Sequence, residues 1–173
     1  MKNINIVLIG FMGTGKTSAG RRLALRLKRR FIDTDTEIEK ITGKTVARIF
    51  ARDGETRFRS EEALLVKKLA GKKNLVISTG GGMMLNPENV RLLGENGVFI
   101  ALAAAPEIIY RRVKRKKVRP LLLKGDLEER IRTLLRERDG IYDIAEFTVD
   151  TGACNLDEAV EQIIRFLSER NYI

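Results

Sequence analysis

The stretch that most constrains this 173-residue chain lies near its start. A short β-branched run, Asn5 to Ile9, stops at Gly10 and passes straight into Gly10-Phe11-Met12-Gly13-Thr14-Gly15-Lys16-Thr17. The octet fits G-x-x-x-x-G-K-[ST], the pattern of a phosphate-binding loop. Its chemistry explains its spacing. Glycines let backbone N–H groups turn inward around phosphate oxygens, and a helix opening at the loop's end adds the positive pole of its dipole. Lys16 is placed to reach the β- and γ-phosphates, and the Thr17 hydroxyl to hold Mg²⁺. Ala19, Leu23 and Leu27 follow at helical spacing. The loop therefore joins a buried strand to an amphipathic helix, the context in which this pattern binds a nucleoside triphosphate.

The remaining chain alternates in the same way. Phe31-Ile32, Leu75 to Ile77, Val98 to Leu102 and Phe147 to Val149 read as further short strands. Between them, Ile38, Ile41, Val46, Ile49 and Phe50 predict two short helices broken at Gly43, with Gly54 ending the second. Longer helices are predicted over Glu55 to Ala70 and Leu127 to Tyr142, and another starts at Pro106. The last is the clearest: Asn155 caps it, Glu158 follows three residues on, and Ala159, Val160, Ile163, Ile164 and Leu167 share one face. Five strands separated by helices imply a parallel sheet covered on both sides, hence one three-layer α/β domain spanning residues 1–173.

Several chemistries drop out at once. There is no histidine, which excludes His general bases and His-ligated metals. Cys154 is the only cysteine, so neither an intrachain disulfide nor a Cys zinc site can form, in keeping with a reducing cytoplasm. The apolar run Val98 to Ala105 stops at Pro106, short of the roughly 20 residues of a bilayer span. Ile6 to Ile9 is too short for a signal peptide. A cytoplasmic protein with no membrane partner is the expectation. Lys and Arg number 33 against 23 Asp and Glu, a net charge of +10 that suits an anionic partner. With three tyrosines and no tryptophan, a stacking platform for nucleic acid is poorly supported.

Ligands of open parallel sheets sit at the carboxyl ends of the strands, so acids just after each strand are the candidates. The third strand ends Ser78-Thr79-Gly80 with no acid; the second ends Asp33-Thr34-Asp35. Asp33 is the candidate Mg²⁺ partner. Asp35 is the candidate to orient an acceptor hydroxyl and take its proton as phosphoryl leaves ATP. A purely structural alternative is that Asp33 or Thr34 caps the next helix, with Glu37 closing a capping box. Gly80-Gly81-Gly82 leaves backbone N–H groups uncovered beside a small polar acceptor. Pro120, directly after Arg119, fixes a turn in the basic stretch that runs from Arg111, and a lid there would bring an Arg to the transferring phosphoryl group.

Together these residues resemble the shikimate kinase family across essentially the whole chain. The resemblance rests on Gly10 to Thr17, Asp33-Thr34-Asp35, Phe58-Arg59 after Asp53-Gly54-Glu55, Thr79 to Gly82, Arg119-Pro120-Leu121 and the Arg138 to Tyr142 stretch. It implies a P-loop kinase fold with a substrate-binding helical region over about residues 34–60 and a short lid over about residues 112–126. It also implies that ATP phosphorylates the 3-hydroxyl of shikimate on the route to aromatic amino acids. By the same resemblance, Gly13, Thr14, Gly15, Lys16, Thr17 and Ser18 cradle the nucleotide, and Thr17 and Asp33 serve Mg²⁺. Asp35 binds the shikimate hydroxyls. Arg59 and Arg138 hold its carboxylate, for which guanidinium forks are suited. Gly80, Gly81 and Gly82 add backbone contacts, Arg119 arrives with the lid, and Arg112 lies against adenine. The adenine-side turn reads Thr151-Gly152-Ala153-Cys154-Asn155, with Cys154 where relatives often carry a polar or basic residue. Glu62, three residues after Arg59, either fixes that guanidinium or makes a surface ion pair.

Two rivals remain at this stage. Another small-molecule P-loop kinase, such as one resembling gluconate kinase, would share loop and lid and differ in acceptor. A basic nucleic-acid-binding NTPase would instead show steeply salt-dependent binding to DNA or RNA. The leading reading is a monomer whose partner is a small molecule, with no nucleic-acid partner.

Overall fold

The computed structural model describes residues 3–115 and 126–173. β1 (Asn5–Ile9) lies at the centre of a five-stranded parallel sheet. It is flanked by β3 (Leu75–Ser78) and β4 (Gly97–Ala103), with β2 (Arg30–Asp33) and β5 (Phe147–Asp150) at the edges. Ile6 pairs with Val76 on one side and with Val98 on the other. The order β2-β3-β1-β4-β5 places the end of β1 where the chain's path reverses across the sheet, the position at which such folds open a crevice.

Because side chains alternate along a strand, β1 feeds two cores. Val7 and Ile9 join Ile77, Phe99 and Ala101 against α2 (Thr34–Thr42), α3 (Val46–Arg52), α4 (Gly54–Ala70) and α5 (Pro87–Gly94). Ile6 and Leu8 join Val76, Val98, Ile100 and Val149 against α1 (Lys16–Arg26) and α8 (Leu156–Glu169). A third cluster seats Phe11 and Met12 of the glycine loop on Ile109, Val113, Ile131 and Leu134 of α6 (Pro106–Lys114) and α7 (Leu127–Glu137). The loop thus rests on its own apolar cushion.

Local signals account for most boundaries. Asn155 and Glu158 form a reciprocal capping box on α8. Three expectations need correction. Gly54 opens α4 rather than closing α3, which ends at Arg52. α7 stops at Glu137, not Tyr142, because Asp139-Gly140 turns the chain and residues 138–144 form successive turns. A one-turn 3-10 helix (Met83–Leu85) and α5 fill a stretch for which the apolar pattern predicts no element, although Asn86 caps α5 and Pro87 occupies its first turn. No helix among the described residues is long and apolar enough to cross a membrane.

Gly10 shows how tightly the loop is tied to the sheet. Its φ is +137°, and a Cβ there would collide with the carbonyl oxygen of Leu102 on β4. Gly10→Ala is therefore expected to lower stability by about 1–3 kcal/mol, the usual range for overpacking, read as the urea unfolding midpoint. An unchanged midpoint would mean that β1 and β4 separate easily at this end.

Candidate active site

At the carboxyl end of the sheet lies a cleft of about 890 Å³, lined by Met12 to Ala19, by Asp33 and Asp35, by Ser78 to Gly81, and on the far wall by Arg112, Arg115, Thr151 and Cys154. A second hollow of about 50 Å³ adjoins it, enclosed by Phe50, Phe58, Arg59, Glu62, Gly82 and Arg138. Met12, Asp35, Val46, Gly80 and Gly81 line both. Of the carboxylates, Asp35 stands at the junction.

On the cleft side, the Lys16 ammonium folds back over the loop and donates to the carbonyls of Gly10 and Phe11, each at 2.8 Å. The side chain is buried, so the cation lies inside the loop rather than in solvent. Thr17 Oγ1 donates to Asp33 Oδ2 at 2.7 Å, bringing α1 and β2 together through two hard oxygen atoms. Asp33 Oδ1 accepts from the Thr36 N–H at 3.2 Å. One carboxylate therefore caps α2 and faces the loop. Ser18 lines the cleft and is exposed. On the far wall, Arg112 donates to Thr151 Oγ1 at 2.9 Å and to the Thr151 carbonyl at 2.5 Å. The Cys154 thiol donates to the Asp150 carbonyl at 3.2 Å, and burial pushes its pKa up.

The glycine triplet is no loose turn; each residue abuts a different side chain. A Cβ on Gly80 would lie 2.8 Å from both Asp35 Oδ1 and Glu62 Oε1. On Gly81 it would meet an Arg138 nitrogen at 3.2 Å, and on Gly82 an Arg59 nitrogen at 2.5 Å. Only residues lacking a side chain let these four charged groups close on one small space. Thr34, fully buried, accepts from the Gly80 N–H at 2.9 Å, and Gly81's carbonyl accepts from Tyr142 Oη at 2.6 Å and from Arg138 at 3.1 Å.

The charges in the hollow are unequal in their partners. Arg59 is shared between Glu62 at 2.7 Å and Glu55 at 2.9 Å. Glu62 is no surface partner: only 1% of its side chain is exposed. Arg138, also buried, lies over the Phe11 ring at 5.3 Å, and its charge acts on the Glu62 carboxyl. Two guanidinium groups, Arg59 and Arg138, beside so small a space make the hollow receptive to an anion.

The structure thus brings together Lys16, Thr17, Asp33 and Arg112 on one side and Asp35, Arg59, Gly80 to Gly82 and Arg138 on the other. Arg119 and most of the expected lid lie outside the described residues. Sequence reasoning met Thr34 as a helix-cap candidate and Tyr142 and Thr151 within longer stretches, and assigned none of the three its own place in the site. Thr151 follows the carboxyl end of a strand, so the search that found the acids would have reached it had it included hydroxyls.

Strand, loop, helix and sheet order define a P-loop kinase fold, with a nucleotide-sized cleft beside a small charged hollow. The family model described as shikimate kinase matches residues 12–168, and the chain belongs to that family. It is 76% identical to a shikimate kinase of Pelotomaculum thermopropionicum, over 98% of each chain. Identity to one from Desulforudis audaxviator is 60%, over 98% of this chain and 89% of the relative. The solved structure of the Acinetobacter baumannii shikimate kinase in complex with shikimate superimposes with a TM-score of 0.92 at 37% identity, covering 96% of this chain and 94% of that one.

Burial pushes the Glu62 carboxyl up to about 7, against the opposing pull of Arg59 and with a further rise from Asp35. An unfolded Glu titrates near about 4.3, so the fold holds this proton more tightly. The stabilisation is complete below the unfolded value and is lost as pH rises through about 7. With no histidine in the chain, few other groups titrate in that window. Relative to Glu62→Gln, the wild type is expected to lose stability between about pH 5 and about pH 7, by at most about 1.4 kcal/mol per pH unit. Urea unfolding of both proteins across that range measures it; a flat difference would mean that Glu62 stays ionised.

Proposed function

We infer that the chain transfers the γ-phosphoryl group of ATP to the 3-hydroxyl of shikimate, releasing shikimate 3-phosphate and ADP. The observation that carries this reading is Asp35, which lines both the nucleotide-sized cleft and the charged hollow. A hydroxyl held there faces a carboxylate on one side and the triphosphate on the other. Its oxygen forms a bond to the γ-phosphorus while the bond from that phosphorus to the β-γ bridging oxygen breaks. The hydroxyl proton passes to Asp35, and ADP leaves with the bridging oxygen.

The other residues supply electrostatics and position. Gly13 to Ser18 cradle the phosphates, and Lys16 turns from its carbonyl partners to the β- and γ-oxygens. Arg138, which is buried, and Arg59 hold the acceptor's carboxylate. Gly80, Gly81 and Gly82 let the acceptor approach the backbone. Arg112 lies against the base, and Arg119 steadies charge on the transferring group. The oxygen pair on Thr17 and Asp33 suits Mg²⁺, which keeps several waters and binds through substrate phosphates. Among the described residues no group of three or more His, Cys, Asp or Glu side chains could hold a metal ion. Bound at the Thr17–Asp33 pair, Mg²⁺ would neutralise charge shared by the β- and γ-oxygens. The reading includes a cytoplasmic monomer acting on a small molecule, without nucleic acid or membrane.

An ADP-release assay with Mg·ATP and shikimate, quinate, gluconate, nucleoside monophosphates or no acceptor tests the substrate. Saturable release with shikimate alone is expected; release with another acceptor would overturn the assignment. Asp35→Asn is expected to lower turnover by roughly 10²–10⁴-fold, the range for a lost acid–base group, while calorimetry still detects ATP binding. Near-normal turnover in that variant would remove Asp35 from the reaction.

A further inference from the structure

Thr151 immediately follows β5 and is buried. Its backbone N–H donates to the Ala103 carbonyl at 2.9 Å, carrying the β4–β5 ladder one step beyond the strand. Its hydroxyl oxygen lies 2.8 Å from the Thr14 carbonyl, 3.1 Å from the Ala103 carbonyl and 2.9 Å from an Arg112 nitrogen. A hydroxyl has one hydrogen and two lone pairs. It therefore donates to a carbonyl, with Thr14 the nearer, and accepts from Arg112. The Thr151 carbonyl accepts from the second Arg112 nitrogen at 2.5 Å.

Two acceptors on one residue thus face the two terminal nitrogens of one guanidinium. That bidentate grip fixes the plane of the group as well as its position, which a single contact would not. Arg112 also reaches the Gly13 carbonyl at 3.3 Å. The same hydroxyl fixes the loop. In a trans peptide the N–H points opposite the C=O, so holding the Thr14 carbonyl against Thr151 turns the Gly15 N–H away from β5.

We propose that Thr151 is a positioning residue for the nucleotide: it sets the guanidinium plane of Arg112 for the base and locks that arginine to the phosphate loop. This rests on ATP occupying the cleft with its base at Arg112. Thr151 itself needs no contact with ATP. A valine at 151 keeps the shape and removes the hydroxyl; a serine keeps the hydroxyl.

The test is direct titration of ATP into the full-length protein by calorimetry, without acceptor. Thr151→Val is expected to weaken ATP binding about 10-fold, the scale of one hydrogen bond to a charged group. Thr151→Ser is expected to restore it to within about 2-fold, and the acceptor KM to stay within about 2-fold in both. In an Arg112→Ala background the same Thr151→Val change is expected to weaken binding much less, because the residues act as a unit. Equal ATP affinity in wild type and Thr151→Val would overturn the proposal. So would a loss that serine does not restore or that persists undiminished without Arg112. Failure of the wild type to bind ATP would instead overturn the reading on which the proposal rests.

Discussion

The whole arrangement depends on the complete burial of β1. Ile6 to Ile9 are inaccessible to solvent, and the strand is hydrogen-bonded on both sides, so its backbone has no slack. Whatever leaves its carboxyl end is launched from a fixed point. The glycine loop inherits that rigidity through Gly10, pressed on β4, and through Phe11 and Met12, seated on α6 and α7. A loop that must hold several N–H groups toward one polyanion requires such support, because ordering it afresh at each binding event would cost backbone entropy.

The hollow beside the loop follows a different logic. Five charged side chains, Asp35, Glu55, Glu62, Arg59 and Arg138, converge on a space of about 50 Å³ or its edge, and they are not balanced pair by pair. Arg59 is over-supplied with carboxylates, whereas Arg138 has a carbonyl and an aromatic face. The raised affinity of Glu62 for its proton follows first from its burial, with a smaller rise from the neighbouring Asp35. An arrangement of this kind is costly in the empty protein and improves when an anion arrives at Arg138.

Much of this was legible in the sequence, because the signals are local. The strand ends, the phosphate loop, the α8 cap and the Asp33-Thr34-Asp35 cluster are each written within a few residues. The family resemblance then added Arg59 and Arg138, which local pattern cannot distinguish from the chain's many surface arginines. What escaped is long-range. Tyr142 and Arg138 meet Gly81 across 61 and 57 residues, and Thr151 meets Thr14 across 137. Neither propensity nor periodicity encodes such contacts. α5 was missed for another reason: its short apolar pattern follows three glycines, which read as a break, although its cap was visible at Asn86.

The division between cleft and hollow has a consequence for how such a protein can diverge. The nucleotide side is built mainly from the loop after β1, α1, α6 and the turn after β5, and the hollow mainly from α3, α4 and the turn after α7. The β2–α2 corner, with Asp33 facing one side and Asp35 both, is a shared wall. Residues enclosing the hollow can be exchanged while the loop and its cushion stay intact, so a new acceptor is within reach of few changes. The corner itself has no such freedom, since any shift that improves one neighbour displaces the other.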